Sequence, residues 1–415
     1  MTIAALCYHF GMKPLVVSLL AASLALAVDR RVIFPAGAKP VGPYSPGIFA
    51  GEFLYVSGQG ARDAAGKFAA EPAGQVRQCL ENVRSIVEAA GLTLEHIVYA
   101  QVYLHPSVSY DTLNPVWTQY FPKNPPARAT LGVARMPTET PVEINAVAVR
   151  DLARKKPVAS PALAPNAPIA AGVMVGDRLY LSGLLGRDGA TGKIPEDPAA
   201  QVQLALDRTK QTLAAAGMDF RHMVFVNPYL TRQMPMQVMN KIYAKHFEFG
   251  NTPARATIVV NHLPHGANIE FTGVAIRDLA KRRAVRPKNM APSPTASPCV
   301  WADDTLYCSA KSGFIPGPHG GIYADNVEDQ VRQSMRNLLD GLEEAGLDFS
   351  HVVASNVYVD NLEEFGKMNA VYGKYFPAAS PPTRTTVSPL PQVERRRSES
   401  GHFPKLEEVS IVAVR

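Results

Sequence analysis

Between positions 74 and 90, apolar residues recur three and four apart: Val76, Leu80, Val83, Ile86, Val87 and Ala90. That spacing predicts a helix with one buried face, and Gly91 supplies a left-handed stop. Residues 97–104 are apolar and β-branched and predict a strand. Residues 53–57 predict another, with Gly47 and Gly51 marking a hairpin before it. A second helix is predicted over 113–121, ending before Pro122. Strands are predicted over 129–133 and 142–149, with a turn around Pro137 and Thr138. The order β-β-α-β-α-β-β predicts an α+β unit with its helices on one sheet face. The other face needs cover, which three such sheets packed around an axis would supply.

The pattern is written three times. Gln75-Val76, Gln201-Val202 and Gln330-Val331 open the long helical stretch, and Ala90-Gly91, Ala216-Gly217 and Ala345-Gly346 close it. Asn114, Asn240 and Asn369 each precede an aromatic pair that ends in Phe121, Phe247 and Phe376. Arg128, Arg255 and Arg384 stand 127 and 129 residues apart (255 − 128; 384 − 255), each followed two residues later by a threonine: Thr130, Thr257 and Thr386. Glu143, Glu270 and Glu408 begin the last strand of each copy. A period this long means one module repeated. Apolar periodicity alone would copy a fold; recurrent Asn, Arg and Glu suggest that a site was copied too. The predicted division is a leader over 1–27 and units over 28–153, 154–280 and 281–415, with 281–297 as a linker.

The chain has 415 residues and a net charge of +6. Basic residues gather at the joints, at Arg154, Lys155 and Lys156 and again at Lys281, Arg282, Arg283, Arg286 and Lys288. These read as solvated linkers. A nucleic-acid partner is not expected, because the aromatic interleaving of single-strand binders is missing. Near the start, Lys13 precedes an apolar run from Leu15 to Leu26 and a small-residue site at Ala25–Ala27. That run is too short to span a bilayer. It predicts a secretory signal cleaved after Ala27, hence a secreted or periplasmic protein with no membrane contact afterwards. Cys79, Cys299 and Cys308 then remain, too few and too irregular for a disulfide framework or a zinc motif. Cys299 and Cys308 flank a predicted hairpin, so one bridge is open to them. His96, His222 and His351 share one register before a strand. The bland reading is three loop histidines, and no metal site is assigned.

Five segments of the first unit carry a resemblance: Gly42-Pro43-Tyr44-Ser45-Pro46-Gly47, Ser57-Gly58-Gln59, Glu88-Ala89-Ala90-Gly91, Pro126-Ala127-Arg128 and Glu143–Val149. Together they resemble the Rid (YjgF-type) imine and enamine deaminases. The resemblance recurs, weaker, in the other two units. It implies the chorismate-mutase-like α+β fold, homotrimers with a ligand site in each inter-subunit cleft, and here a pseudo-trimeric barrel with helices outside, formed by one chain that stays monomeric. It also implies hydrolysis of 2-imino or enamine carboxylates to 2-oxo acids and ammonia, without metal or organic cofactor.

The residue types suit that chemistry. An arginine fork binds a carboxylate bidentately, so Arg128, Arg255 and Arg384 are candidates for that role. A carboxylate can orient water and take its proton, so Glu143, Glu270 and Glu408 are candidate acid–base groups. The resemblance adds Tyr44, Ser57, Gly58 and Asn114 as cleft-lining residues. The matching positions are Ser182 and Ser309, Asn240 and Asn369, and the threonines Thr130, Thr257 and Thr386. Many deaminating members carry cysteine where these threonines stand. The tyrosine becomes Ile169 and Ala296, Gly58 becomes Gly183 and then Ala310, and unit three carries an insertion over 392–404. Unequal units predict unequal sites. A small-carboxylate binding protein without turnover is the main alternative; hydrolysis of another C–N bond or of RNA ranks below it.

Overall fold

The computed structural model describes residues 30–37, 42–164, 166–189, 191–317, 320–391 and 403–415. The leader and most of the insertion, with Arg395–Arg397, lie outside these. Unit one runs β1 (Arg30–Ile33), β2 (Gly47–Ala50), β3 (Phe53–Gly60), α1 (Pro72–Ala89), β4 (Ile97–Leu104), α2 (Tyr110–Tyr120), β5 (Ala127–Gly132) and β6 (Val142–Val149). Unit two runs β7 (Lys155–Val158), β8 (Gly172–Val175), β9 (Arg178–Leu185), α3 (Pro198–Ala215), β10 (Met223–Leu230), α4 (Met236–Tyr243), β11 (Ala254–Arg255), β12 (Ile258–Val259) and β13 (Ile269–Ile276). Unit three runs β14 (Arg282–Val285), β15 (Cys299–Ala302), β16 (Thr305–Lys311), α5 (Val327–Glu344), β17 (Val352–Val359), α6 (Phe365–Tyr372), β18 (Thr383–Val387) and β19 (Glu407–Val414).

Each unit forms one open sheet, ordered β1-β2-β3-β6-β4-β5 in unit one and equivalently in the others. Among the described residues no sheet closes on itself. Helix α1 buries Val76, Leu80, Val83, Ile86 and Val87 against one face of its sheet. Gly91, at φ 80°, ends it as its spacing predicts. The opposite faces of the three sheets meet in a shared core that includes Val98, Val224 and Val353, with Tyr55, Tyr180 and Tyr307. Burying both faces gives each sheet two apolar surfaces, which explains why its strands read as near-continuous apolar runs.

The basic joints are not solvated linkers. Lys155 opens β7 and Arg282 opens β14, each an edge strand of its own sheet. Their head groups reach the preceding unit: Lys155 Nζ donates to Glu95 O, and Arg282 donates to Met223 O and Asn251. Arg30, at the same register of unit one, donates to Val352 O and Ser380 in unit three. A charge at the start of each edge strand thus ties one unit to another by hydrogen bonds to backbone carbonyls. The predicted 281–297 linker therefore contains the first strand of unit three.

Cys299 and Cys308 face each other across the β15–β16 hairpin and are bonded, with an S–S distance of 2.02 Å. Cys79 is buried and free, donating to Gln59 O. His96, His222 and His351 each close a capping box, their Nδ1 receiving the backbone N–H of Thr93, Asp219 and Asp348. Their shared register therefore reflects turn chemistry. Among the described residues no helix is long and apolar enough to cross a membrane.

Candidate functional site

Three clefts lie where the arginine strand of one unit meets the third strand of the next. In each, a serine hydroxyl accepts the arginine's backbone N–H across the joint: Ser182 from Arg128 at 2.8 Å, Ser309 from Arg255 at 2.8 Å and Ser57 from Arg384 at 2.9 Å. The same hydroxyls donate to Ala170 O, Ser297 O and Ser45 O. Each serine proton is spent, so these residues position the arginine and have none left to donate to a ligand.

The guanidinium is held the same way three times. Asn114, Asn240 and Asn369 each accept one of its N–H groups at 2.7 Å. Three residues further along the same helix, Trp117, Tyr243 and Tyr372 lie beneath the cation, with ring centroids 4.8, 5.2 and 5.1 Å away. Residues at i and i+3 share a helix face, so the amide and the ring meet the arginine together.

The cleft between units one and two is a cavity of about 190 Å³ lined by Tyr110, Asn114, Arg128, Thr130, Glu270 and His265, among others. Arg128 Nε and Nη1 and Glu270 Oε1 are buried there without hydrogen-bond partners. Burial pushes the Glu270 carboxyl up to about 8, although Arg128, the Thr130 backbone N–H and Arg208 pull the other way. Burial also lowers Arg128 to about 10, against the pull of Tyr110 and Glu270.

The cleft between units three and one repeats this arrangement with Arg384 and Glu143. Burial again pushes the carboxyl up to about 8, opposed by Arg384 and the Thr386 backbone N–H. Here Tyr44 joins, its ring centroid 5.0 Å from the Arg384 guanidinium, and Phe365 lies 5.3 Å away. So it is the third unit's arginine that faces Tyr44. The Thr386 hydroxyl is buried and unpartnered.

In both clefts the carboxylate lies against a glycine. A Cβ on Gly58 would stand 2.0 Å from Glu143 Oε1, and one on Gly183 would stand 2.2 Å from Glu270 Oε1. No side chain fits there. Unit three has Ala310 at this position, and Glu408 is turned to Lys405, whose Nζ lies 2.5 Å from its Oε2. The cleft between units two and three thus keeps Arg255, Asn240 and Ser309 but places its carboxylate in an ion pair.

The endoribonuclease L-PSP family model matches the chain three times, over residues 36–150, 159–277 and 288–392. The chain belongs to that family. It is similar to the 2-iminobutanoate/2-iminopropanoate deaminase of Escherichia coli, 38% identical over 114 residues that cover 26% of this chain and 89% of the relative. It is equally similar, 38% over 125 residues, to a RutC family protein of Pyrococcus horikoshii, covering 29% of this chain and 99% of that one. Among solved structures, E. coli TdcF with bound serine is 33% identical, covers 29% of this chain and 99% of its own, and has a TM-score of 0.28. Each relative is about one unit long, so this L-PSP family member carries three tandem units. The rings under the arginines and Lys405 went unnoticed in its sequence, although the i, i+3 spacing from each asparagine was there to find the rings.

Proposed function

We propose that the chain hydrolyses small 2-imino carboxylates and their enamine tautomers to 2-oxo acids and ammonia, in the one–two and three–one clefts. The observation that carries this is the buried pair Arg128 and Glu270, whose guanidinium N–H groups and carboxyl oxygen face one cavity without partners. Buried polar atoms of this kind cost about 1–3 kcal/mol each when unmet. A carboxylate next to a C=N carbon meets both: the guanidinium takes the carboxylate, and the carboxyl reaches the imine.

A carboxyl with its pKa near neutrality can act as acid and then base. Glu270, neutral at first, gives its proton to the imine nitrogen. Water adds to the iminium carbon and returns a proton to the carboxylate, leaving a tetrahedral aminohydrin. Proton transfer to the amino group then expels ammonia as the C=O bond forms. The reaction balances with water alone. Glu143 serves Arg384 in the same way, with Tyr44 packed beside the guanidinium.

The cross-unit serine bonds and the Arg30 tie from unit one to unit three support a pseudo-trimer in which three units complete each other's clefts. The chain should then be a monomer; light scattering at three times the mass of one chain would oppose this. A signal over residues 1–27 and a bonded Cys299–Cys308 pair support export to an oxidising compartment, and amino-terminal sequencing of the exported protein should begin at Val28. The function is tested by ammonia release from imino acids made in situ by an amino-acid oxidase. The mature chain should accelerate release, and a Glu143→Gln/Glu270→Gln chain should not. No acceleration by wild type on any imino acid offered would reject the reading.

A further inference from the structure

We propose that the two–three cleft is a binding site for a small dianion that it does not turn over. Its arginine is fully built: the Arg255 backbone N–H rests on Ser309, its Nη1 on Asn240, and its cation over the Tyr243 ring. What has changed is everything an acid–base carboxyl would need. The Ala310 methyl occupies the space that Gly58 and Gly183 leave to Glu143 and Glu270. Glu408 is drawn instead to Lys405.

The strand carrying the arginine is also interrupted. β10 pairs with β11 and β12 but not with Ala256–Thr257, whereas β5 and β18 pair without a break. Opposite the gap stands Pro228, where units one and three have Val102 and Val357. Proline has no N–H to give a ladder. Thr257 lies in the gap with its hydroxyl oxygen buried and unpartnered.

Thr257 and Lys405 line a cavity of about 260 Å³ with Glu408. That is below the ~300–1,000 Å³ of drug-sized pockets and suits a metabolite. The charges around it do not balance. Arg255, Lys405 and Lys311 lie within electrostatic reach of the single carboxylate Glu408. Glu407 turns inward to Ser334 and the Gly313 N–H, and Asp360 on the facing wall is engaged elsewhere. Two positive charges are left over, which matches a dicarboxylate or a phosphate group. The lack of turnover rests on the proposed chemistry; the binding does not.

The test is calorimetric titration of an Arg128→Ala/Arg384→Ala chain, in which only the two–three cleft keeps its arginine. Succinate and inorganic phosphate are the probes, with acetate as the monoanion control. The proposal expects one of the two dianions to bind one per chain, at least ~10-fold tighter than acetate. Adding Lys405→Met should weaken it by ~10-fold or more, as loss of one charge-assisted contact does. Lys311→Met is the second variant should Lys405→Met fail to fold. In the otherwise wild-type chain, Lys405→Met should leave ammonia release unchanged. Binding of neither dianion, no preference over acetate, or ammonia release by the double variant would each overturn it. Dianion binding by a chain that hydrolyses no imine would sink the proposed function and leave this site standing.

Discussion

Glutamine at position 270 is expected to make the protein more stable and less active at neutral pH. Burial lifts the Glu270 carboxyl from its ordinary 4.5 to about 8, because Arg128 only partly offsets the loss of water. Below about pH 4.5 the folded and unfolded chains both hold the proton, and the group has no effect on stability. As pH rises further, the unfolded chain ionises first and the fold loses stability, at about 1.4 kcal/mol per pH unit, until the folded carboxyl ionises near 8. Between pH 4.5 and 7 this amounts to roughly 3 kcal/mol. Glutamine keeps the shape and cannot ionise. Urea unfolding should therefore give Glu270→Gln and wild type equal stability near pH 4.5, with the variant ahead by about 3 kcal/mol at pH 7. Were Glu270 instead ionised in the fold and held by Arg128, the variant would leave a buried guanidinium without its counter-charge. It would then be less stable at pH 7, by about 3–5 kcal/mol. That order refutes the reasoning.

Other outcomes follow from the same geometry. Ammonia release should fall as pH rises through about 8, since Glu143 and Glu270 must hold a proton to protonate the imine; a rate still rising at pH 9 contradicts this. Gly58→Ala and Gly183→Ala should each silence one cleft, and the double variant should lose ~100-fold or more in turnover, the range of a lost acid–base group. Measured turnover near wild type would show that the carboxylate can move aside. Ser57→Ala, which leaves the buried Arg384 N–H without its acceptor, should cost about 1–3 kcal/mol of stability in urea unfolding.

The repeat, the helices and the strand order were legible because each unit buries both sheet faces and one helix face, and burial writes itself as apolar spacing. The edge strands β1, β7 and β14 were not. They are short, and their charged first residues look like solvated chain until their hydrogen bonds to a neighbouring unit are seen. At the site, residue types named the arginines and glutamates. Pairing could not be read, because Glu270 meets Arg128 and Glu143 meets Arg384 only across unit boundaries. The serines, taken as ligand contacts, are spent on the arginine backbone. The asparagines, which look like ordinary helix residues, hold the guanidinium. Thr130, Thr257 and Thr386 occupy one register, yet only Thr257 lies in an interrupted strand, a consequence of Pro228 on the neighbouring strand.

The central claim is that two clefts act and the third does not. It is tested most directly by ammonia release from an in-situ 2-imino acid with Arg128→Ala, Arg384→Ala, their combination, and Arg255→Ala. The account predicts partial loss in each of the first two, loss of all acceleration in the combination, and a wild-type rate for Arg255→Ala. A rate that survives the combined substitution, or that falls with Arg255→Ala alone, would contradict it.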